Sequence, residues 1–386
     1  MDRNLLRLLN ICSVFGICIQ IPQCCGRKGS CLFTLYIILL FAILILSCVL
    51  GVMKRQMEKE YIISWAVSTI VFISQMFTHF IILCETLSKQ QQHLDFLRAL
   101  DEIDDCFKIH LKMDVKTSNI IKQFRSTILI MNVISTTGLI VFALNFYLYS
   151  DAGYYWWALM SILAMRFRLL QFIVYVEILK CYMMGLNRKL NQVVCLKTQR
   201  CQQLLDIDYK HLQSLDVIKN IKHIYACIYE ASTLMNEFGQ ASLFAASAAN
   251  FLDFTCHIYW TLLAMDNLLA VYNIISSLAT MVPLGMFMVK FCLICQAIKE
   301  EGQRTSLLLS RLVCSGACPS INTQYKNLLH DFTLQLMHQR IVFTGKRFFD
   351  YDLHYIFAIC ALIATHLIIL IQFTKIDSNH YTNITT

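Results

Sequence analysis

Seven apolar stretches, each about long enough to cross a hydrocarbon core as a helix, alternate with polar segments along the chain. The first, residues 31–53, runs for 23 residues without a charge. A short connection (54–60) leads into the second (61–84). A polar segment follows (85–125) with Leu94, Leu97, Leu100 and Ile103 at helical spacing, which predicts a helix extending out of the membrane. The third stretch (127–149) is separated from the fourth (154–181) by only Ser150 to Gly153. A second polar, helix-like segment (187–237) precedes the fifth stretch (239–263), and a short turn at Asp266 and Asn267 leads into the sixth (268–298). A third polar segment (299–350) precedes the last stretch (351–373).

Composition sharpens this pattern. The 386 residues are 57% hydrophobic and 15% charged, whereas soluble domains carry roughly a quarter charged residues. Three prolines and 12 glycines leave long helices uninterrupted. The expected fold is therefore an all-α membrane protein of seven transmembrane helices with long helical extensions. Lysine and arginine set its orientation. The N-terminal tail and the three long polar segments hold 25 of them, against four in the other connections. The positive-inside rule then puts the N-terminus in the cytosol and the C-terminus outside. Asn383 heads the single Asn-x-Thr acceptor, in the C-terminal tail, and its glycosylation requires the same orientation. No secretory signal is expected, because Pro22 and Arg27-Lys28 stand where a cleavage site would be needed. The start instead reads as a short amphipathic helix.

Eighteen cysteines invite a disulfide or zinc reading, yet Cys292-x-x-Cys295 has no second pair with flanking histidines. Buried thiols are the expectation, with no metal, no cofactor and no enzymatic centre. The net charge of +8 is spread over loops, so no nucleic-acid partner is expected.

Several polar residues interrupt the apolar stretches. Arg166 and Arg168 lie in the fourth and cost about 2.5–3.5 kcal/mol each at mid-membrane on insertion scales. They need a partner, and Asp253 in the fifth stretch lies at a similar depth. The other reading is that both snorkel to the cytosolic side. Asn250, Asp253 and His257 share one helix face. With Tyr147, Trp156 and Trp157 near the outer ends of the third and fourth stretches, they are candidates for the wall of a small-molecule pocket. The aromatic residues fit an interfacial belt equally well.

The last stretch carries the most specific signal. From Tyr355 to Phe373 it has no carboxylate, lysine or arginine, and a single imidazole, His366. Thr365 and Gln372, seven apart, project to nearly the same side, with Ile368 and Ile369 between them. An amide has no place against lipid, so this face belongs against protein or a water-filled path. Thr365-His366, five apolar residues and Gln372-Phe373 resemble the T-Y-five-apolar-Q-F signature in the last helix of insect gustatory receptors. Phe348-Phe349-Asp350 and Asp352 resemble that family's lead-in, and His366 replaces its tyrosine.

The resemblance implies a tetrameric, ligand-gated, non-selective cation channel in the plasma membrane of sensory neurons, with small-molecule tastants, cations and the bilayer as partners and homo- or hetero-tetramers as assemblies. By the same resemblance, 1–30 is a cytosolic N-terminal segment and 31–298 holds six spans with the ligand pocket (cytosolic segments 85–126 and 181–238). Residues 299–350 form a cytosolic anchor, 351–374 a pore-lining span and 375–386 an extracellular tail. Thr365, Ile369, Gln372 and Phe373 map onto the pore and gate. A helix packed on its neighbours, with Gln372 hydrogen-bonded across the interface, is the other reading of that face. His366 is either a pH-sensitive group or a neutral substitute for the tyrosine hydroxyl. Leu367 stands where sugar-sensing members carry an acid, which points toward a non-sugar, aversive compound or a receptor with no simple ligand. The alternatives are a G-protein-coupled-type chemoreceptor, which would reverse the topology, and a transporter, which would show repeated halves with broken helices.

Overall fold

The computed structural model describes residues 12–17, 26–53, 62–113, 118–149, 155–197, 215–266, 272–314 and 323–385. Among these, nine α-helices and one two-stranded hairpin follow in the order α1 (Gly26–Met53), α2 (Ile62–Ser88), α3 (Gln90–His110), α4 (Ser118–Tyr149), α5 (Tyr155–Lys197), α6 (Leu215–Met265), α7 (Tyr272–Cys314), α8 (Thr323–His338), β1 (Thr344–Gly345), β2 (Phe349–Asp350) and α9 (Leu353–Thr385).

Among the described residues, five helices are long and apolar enough to cross a membrane, with spans at Phe33–Met53, Ala66–Ser88, Trp156–Cys195, Ile274–Cys314 and Leu353–Phe373. α4 carries a shorter apolar stretch, Ile128–Leu144. The fifth apolar stretch of the sequence lies in α6, whose Asn250, Asp253 and His257 are buried among neighbouring helices. Protein surrounds those groups, so α6 need not be apolar all round.

The polar segments are not separate domains. α5, α6 and α7 run unbroken for 43, 51 and 43 residues. At 1.5 Å per residue they are about 65–77 Å long, roughly twice the thickness of a hydrocarbon core. The polar segment after the second stretch continues beyond α2 as α3, which packs along α6 through Phe96, Leu100, Ile103 and Phe107. The last helix starts at Leu353, two residues later than the apolar pattern predicts, because Asp352 caps it.

α5 is the central post, packed by α1, α2, α6 and α7. Of its most apolar window 72% is buried, against 11% for α9. Small residues let other helices close in. Pro283 in α7 cannot donate to the Ala279 carbonyl, and a Cβ on Gly138 of α4 would lie 2.2 Å from that oxygen. Only glycine fits there. Gly239 of α6 makes similar room for the Phe172 ring of α5.

The hairpin fastens the base of α9. Lys346 and Arg347 hold φ of 50° and 63° in a tight turn closed by Phe348 N–H to the Gly345 carbonyl (3.0 Å). Asp352 follows, and its Oδ1 accepts the amides of His354 (3.0 Å) and Tyr355 (3.3 Å), capping α9. Its Oδ2 takes Lys299 of α7 at 3.1 Å. Tyr351 and Ser247 of α6 share a hydrogen bond at 2.9 Å.

Candidate functional site

Five helices enclose a cavity of about 30 Å³, room for one or two waters. α2, α5, α6 and α7 each turn residues three or four apart to it, and α4 adds one ring. α2 brings Val71 and Gln75, and α5 brings Ile162, Met165, Arg166 and Leu169. α6 brings Asn250, Asp253 and His257, with Phe142 from α4 and Thr280 and Leu284 from α7.

The polar groups on this wall are held in order. Gln75 Nε2 donates to both oxygens of Asp253, at 3.0 and 3.2 Å. Arg166 Nη1 donates to the Ser135 carbonyl (3.0 Å) and hydroxyl (2.9 Å) of α4. His257 Nε2 lies 3.0 Å from Thr280 Oγ1, and its ring meets Trp260 edge-on at 5.3 Å. Asn250 Nδ2 points at the Met288 sulfur, 3.2 Å away. No direct ion pair joins either arginine to Asp253 among the described residues. Arg166 faces Asp253 across the cavity wall instead of touching it.

Arg168 lies two residues on, which is 200° around the helix, and so points elsewhere. Neither arginine snorkels, since Arg166 and Arg168 are both buried. Arg168 pairs with Glu85 at the end of α2 at 3.0 Å. Glu85 also accepts the α6 amides of Ala241 (2.9 Å) and Ser242 (3.1 Å), while Arg168 donates to the Phe238 carbonyl (3.4 Å). The Ser242 amide and the Phe238 carbonyl would form one rung of the helix, and both bond to the ion pair. Its guanidinium lies 4.7 Å over the Phe172 ring.

Of the sequence candidates, Arg166, Asn250, Asp253 and His257 come together at the cavity. Trp156 and Trp157 do not. They open α5 at the rim, where Trp156 is exposed and Trp157 packs against the cluster between α1 and α2. Tyr147 is in the last turn of α4, and its side chain lies outside the described residues, as does that of Asn383. Sequence reasoning missed Gln75, Phe142, Thr280 and Glu85. A glutamine inside the second apolar stretch was the available signal for Gln75, on the same argument applied to Gln372.

The four candidates on α9 form one outward stripe. The helix docks on α6 and α7 through Tyr355, Ile363, Leu367 and Leu370. Thr365, Ile369, Gln372 and Phe373 are exposed. His366 Nδ1 donates to the Leu362 carbonyl of its own helix (2.9 Å), and the ring meets Phe251 edge-on at 5.3 Å.

A multi-pass helical membrane protein with a polar-walled cavity among its helices has the form of a receptor for small molecules. Residues 3–376 match the family model described as 7tm chemosensory receptor, so the chain belongs to that family. It is 24% identical over 323 residues to putative gustatory receptor 39b of Drosophila melanogaster, covering 82% of this chain and 85% of that one. It is 27% identical over 216 residues to gustatory receptor 23a of the same organism, covering 55% and 56%. The olfactory receptor OR5 of Machilis hrabei, solved in complex with eugenol, superposes with a TM-score of 0.70 over 96% of this chain and 98% of its own, at 13% identity.

Proposed function

We propose that the protein is a gustatory receptor acting as a ligand-gated, non-selective cation channel, with the cavity as its ligand site and the outward stripe of α9 as its pore wall. The observation that carries this reading is the exposure of Thr365 and Gln372 on a helix with only 11% of its apolar window buried. A lipid-facing helix gains nothing from an amide, whereas a ring of amides around an aqueous path can solvate a passing cation. Four copies in the plasma membrane, N-termini inside, would bring the four stripes together, and the extensions of α5, α6 and α7 with α8 would hold them. Phe373, next to Gln372, would close the path by excluding water. The OR5 relative in complex with eugenol supports a small organic ligand.

The cavity is water-sized, so a tastant must part its walls. That requirement links binding to a change of state, because the ligand favours the wider conformation. Asp352 and Lys299 then carry movement of α7 to the base of α9. The reading is tested by whole-cell or liposome currents through Phe373→Ala. A raised basal current, or an altered ligand-evoked one, is expected, and gating identical to the unaltered chain overturns it.

A further inference from the structure

Among the described residues, three acceptors on the cavity wall have no donor: Gln75 Oε1, Asn250 Oδ1 and His257 Nδ1. Their residues are 3%, 1% and 6% exposed, so bulk water does not satisfy them. The other end of each side chain fixes its orientation. Gln75 must turn its NH₂ toward Asp253, because a carboxylate only accepts. Asn250, reversed, would set its oxygen against the Met288 sulfur instead of donating to it. Thr280 Oγ1 has the Ser277 and Ser276 carbonyls of its own helix (2.9 and 3.2 Å) to take its one hydrogen, which assigns the 3.0 Å contact as a hydrogen bond donated by His257 Nε2. Nδ1 is then left as a lone pair.

Leaving a buried acceptor unmet is costly, so three on one wall amount to a recognition pattern. The one or two waters that the cavity can hold would meet these acceptors in the empty state, so a ligand that displaces them must bring donors of its own. The wall also carries one guanidinium and one carboxylate, Arg166 and Asp253, so a ligand has no net charge to neutralise. The remaining lining, Val71, Phe142, Ile162, Leu169 and Leu284, is apolar.

We propose that this cavity selects a small uncharged molecule bearing two or more N–H or O–H donors on an apolar body, the donors engaging Gln75 Oε1, Asn250 Oδ1 and His257 Nδ1. The inference rests on the cavity being the ligand site and adds the class of ligand. Ethers and hydrocarbons of the same shape leave the acceptors bare and are discriminated against, as sites built to hydrogen-bond a donor reject analogues that lack one.

The test uses the full chain in lipid nanodiscs and matched probes: catechol with 1,2-dimethoxybenzene, resorcinol with 1,3-dimethoxybenzene, and 1,2-hexanediol with its dimethyl ether. Binding is read from tryptophan emission, since Trp260 stands against His257, and currents are recorded in parallel. At least one diol should bind about tenfold or more tighter than its ether. The ratio should shrink toward one in Asn250→Leu and His257→Phe. The diol-to-ether ratio on the unaltered protein decides the matter even where a variant fails to fold. Ethers binding as well as diols overturn the inference and leave the receptor reading standing. Diols that bind but evoke no current uphold the inference and contradict the channel reading. Binding by no probe overturns both.

Discussion

Breaking the Glu85–Arg168 pair would leave a buried charge behind. Both groups are buried, and Glu85 accepts two further bonds from the α6 backbone. Removing one partner from a buried ion pair costs about 3–5 kcal/mol, because the other charge stays behind without compensation. Glu85→Ala should therefore destabilise the protein by about that much in detergent unfolding, while Glu85→Leu with Arg168→Met should recover a large part of the loss. A Glu85→Ala variant as stable as the parent would show that water reaches Arg168. The sequence made this arginine conspicuous but not its partner. Glu85 sits where the apolar pattern of the second stretch ends, so it reads as the start of a solvated segment. Its burial depends on α5 and α6 closing around the end of α2, which is a tertiary fact. The face shared by Asn250, Asp253 and His257 was legible, because spacing along one helix is a local property.

At the scale of the elements, two joints decide how the helices move. Gly138 lets α4 approach the Ala279 carbonyl freed by Pro283. A side chain there must collide with backbone, so Gly138→Val should destabilise the bundle by about 1–3 kcal/mol, the usual cost of overpacking. An unchanged unfolding midpoint would mean that α4 and α7 can separate freely. The second joint is Asp352. Its partial burial works to raise its pKa, but the hydrogen bond from Lys299, the Tyr355 amide and the charges of Lys299 and His354 together hold the carboxyl below the usual range. A depressed carboxyl contributes stability that is fully present above its unfolded value, near pH 4. That contribution is lost as the pH falls through the still lower folded value. Asp352→Asn should thus loosen the base of α9 at neutral pH, read as faster amide exchange at His354 and Tyr355. Once the pH falls below the folded value of Asp352, the parent and variant should converge. Equal exchange at neutral pH would remove Asp352 from the coupling path. Both joints depend on contacts between remote segments, and the sequence singled out Asp352 only as part of the family's lead-in, not as a cap.

Over the whole molecule, the alternation of apolar and polar stretches foretold an all-helical membrane protein, and the terminal motif foretold its family. The polar segments were expected as helical extensions, and the structure gives their extent. Residues 187–237 and 299–350 include continuations of the same long helices that line the cavity, so a change in the cavity can reach the far end as rigid rotation. The proposed orientation predicts that a C-terminal tag is stained on intact cells and that Asn383→Gln removes a glycan. Staining of the C-terminal tag only after permeabilisation, with the N-terminal tag exposed, would return the G-protein-coupled alternative.

Cation current through charge-altered forms of the α9 stripe tests the central claim most directly. If Gln372 lines the permeation path, four lysines there repel cations and four glutamates attract them. Gln372→Lys should then reduce cation conductance about tenfold or more, while Gln372→Glu should maintain or raise it. Equal conductance in Gln372→Lys, Gln372→Glu and the unaltered protein, at matched surface expression, would place the path elsewhere and contradict the account.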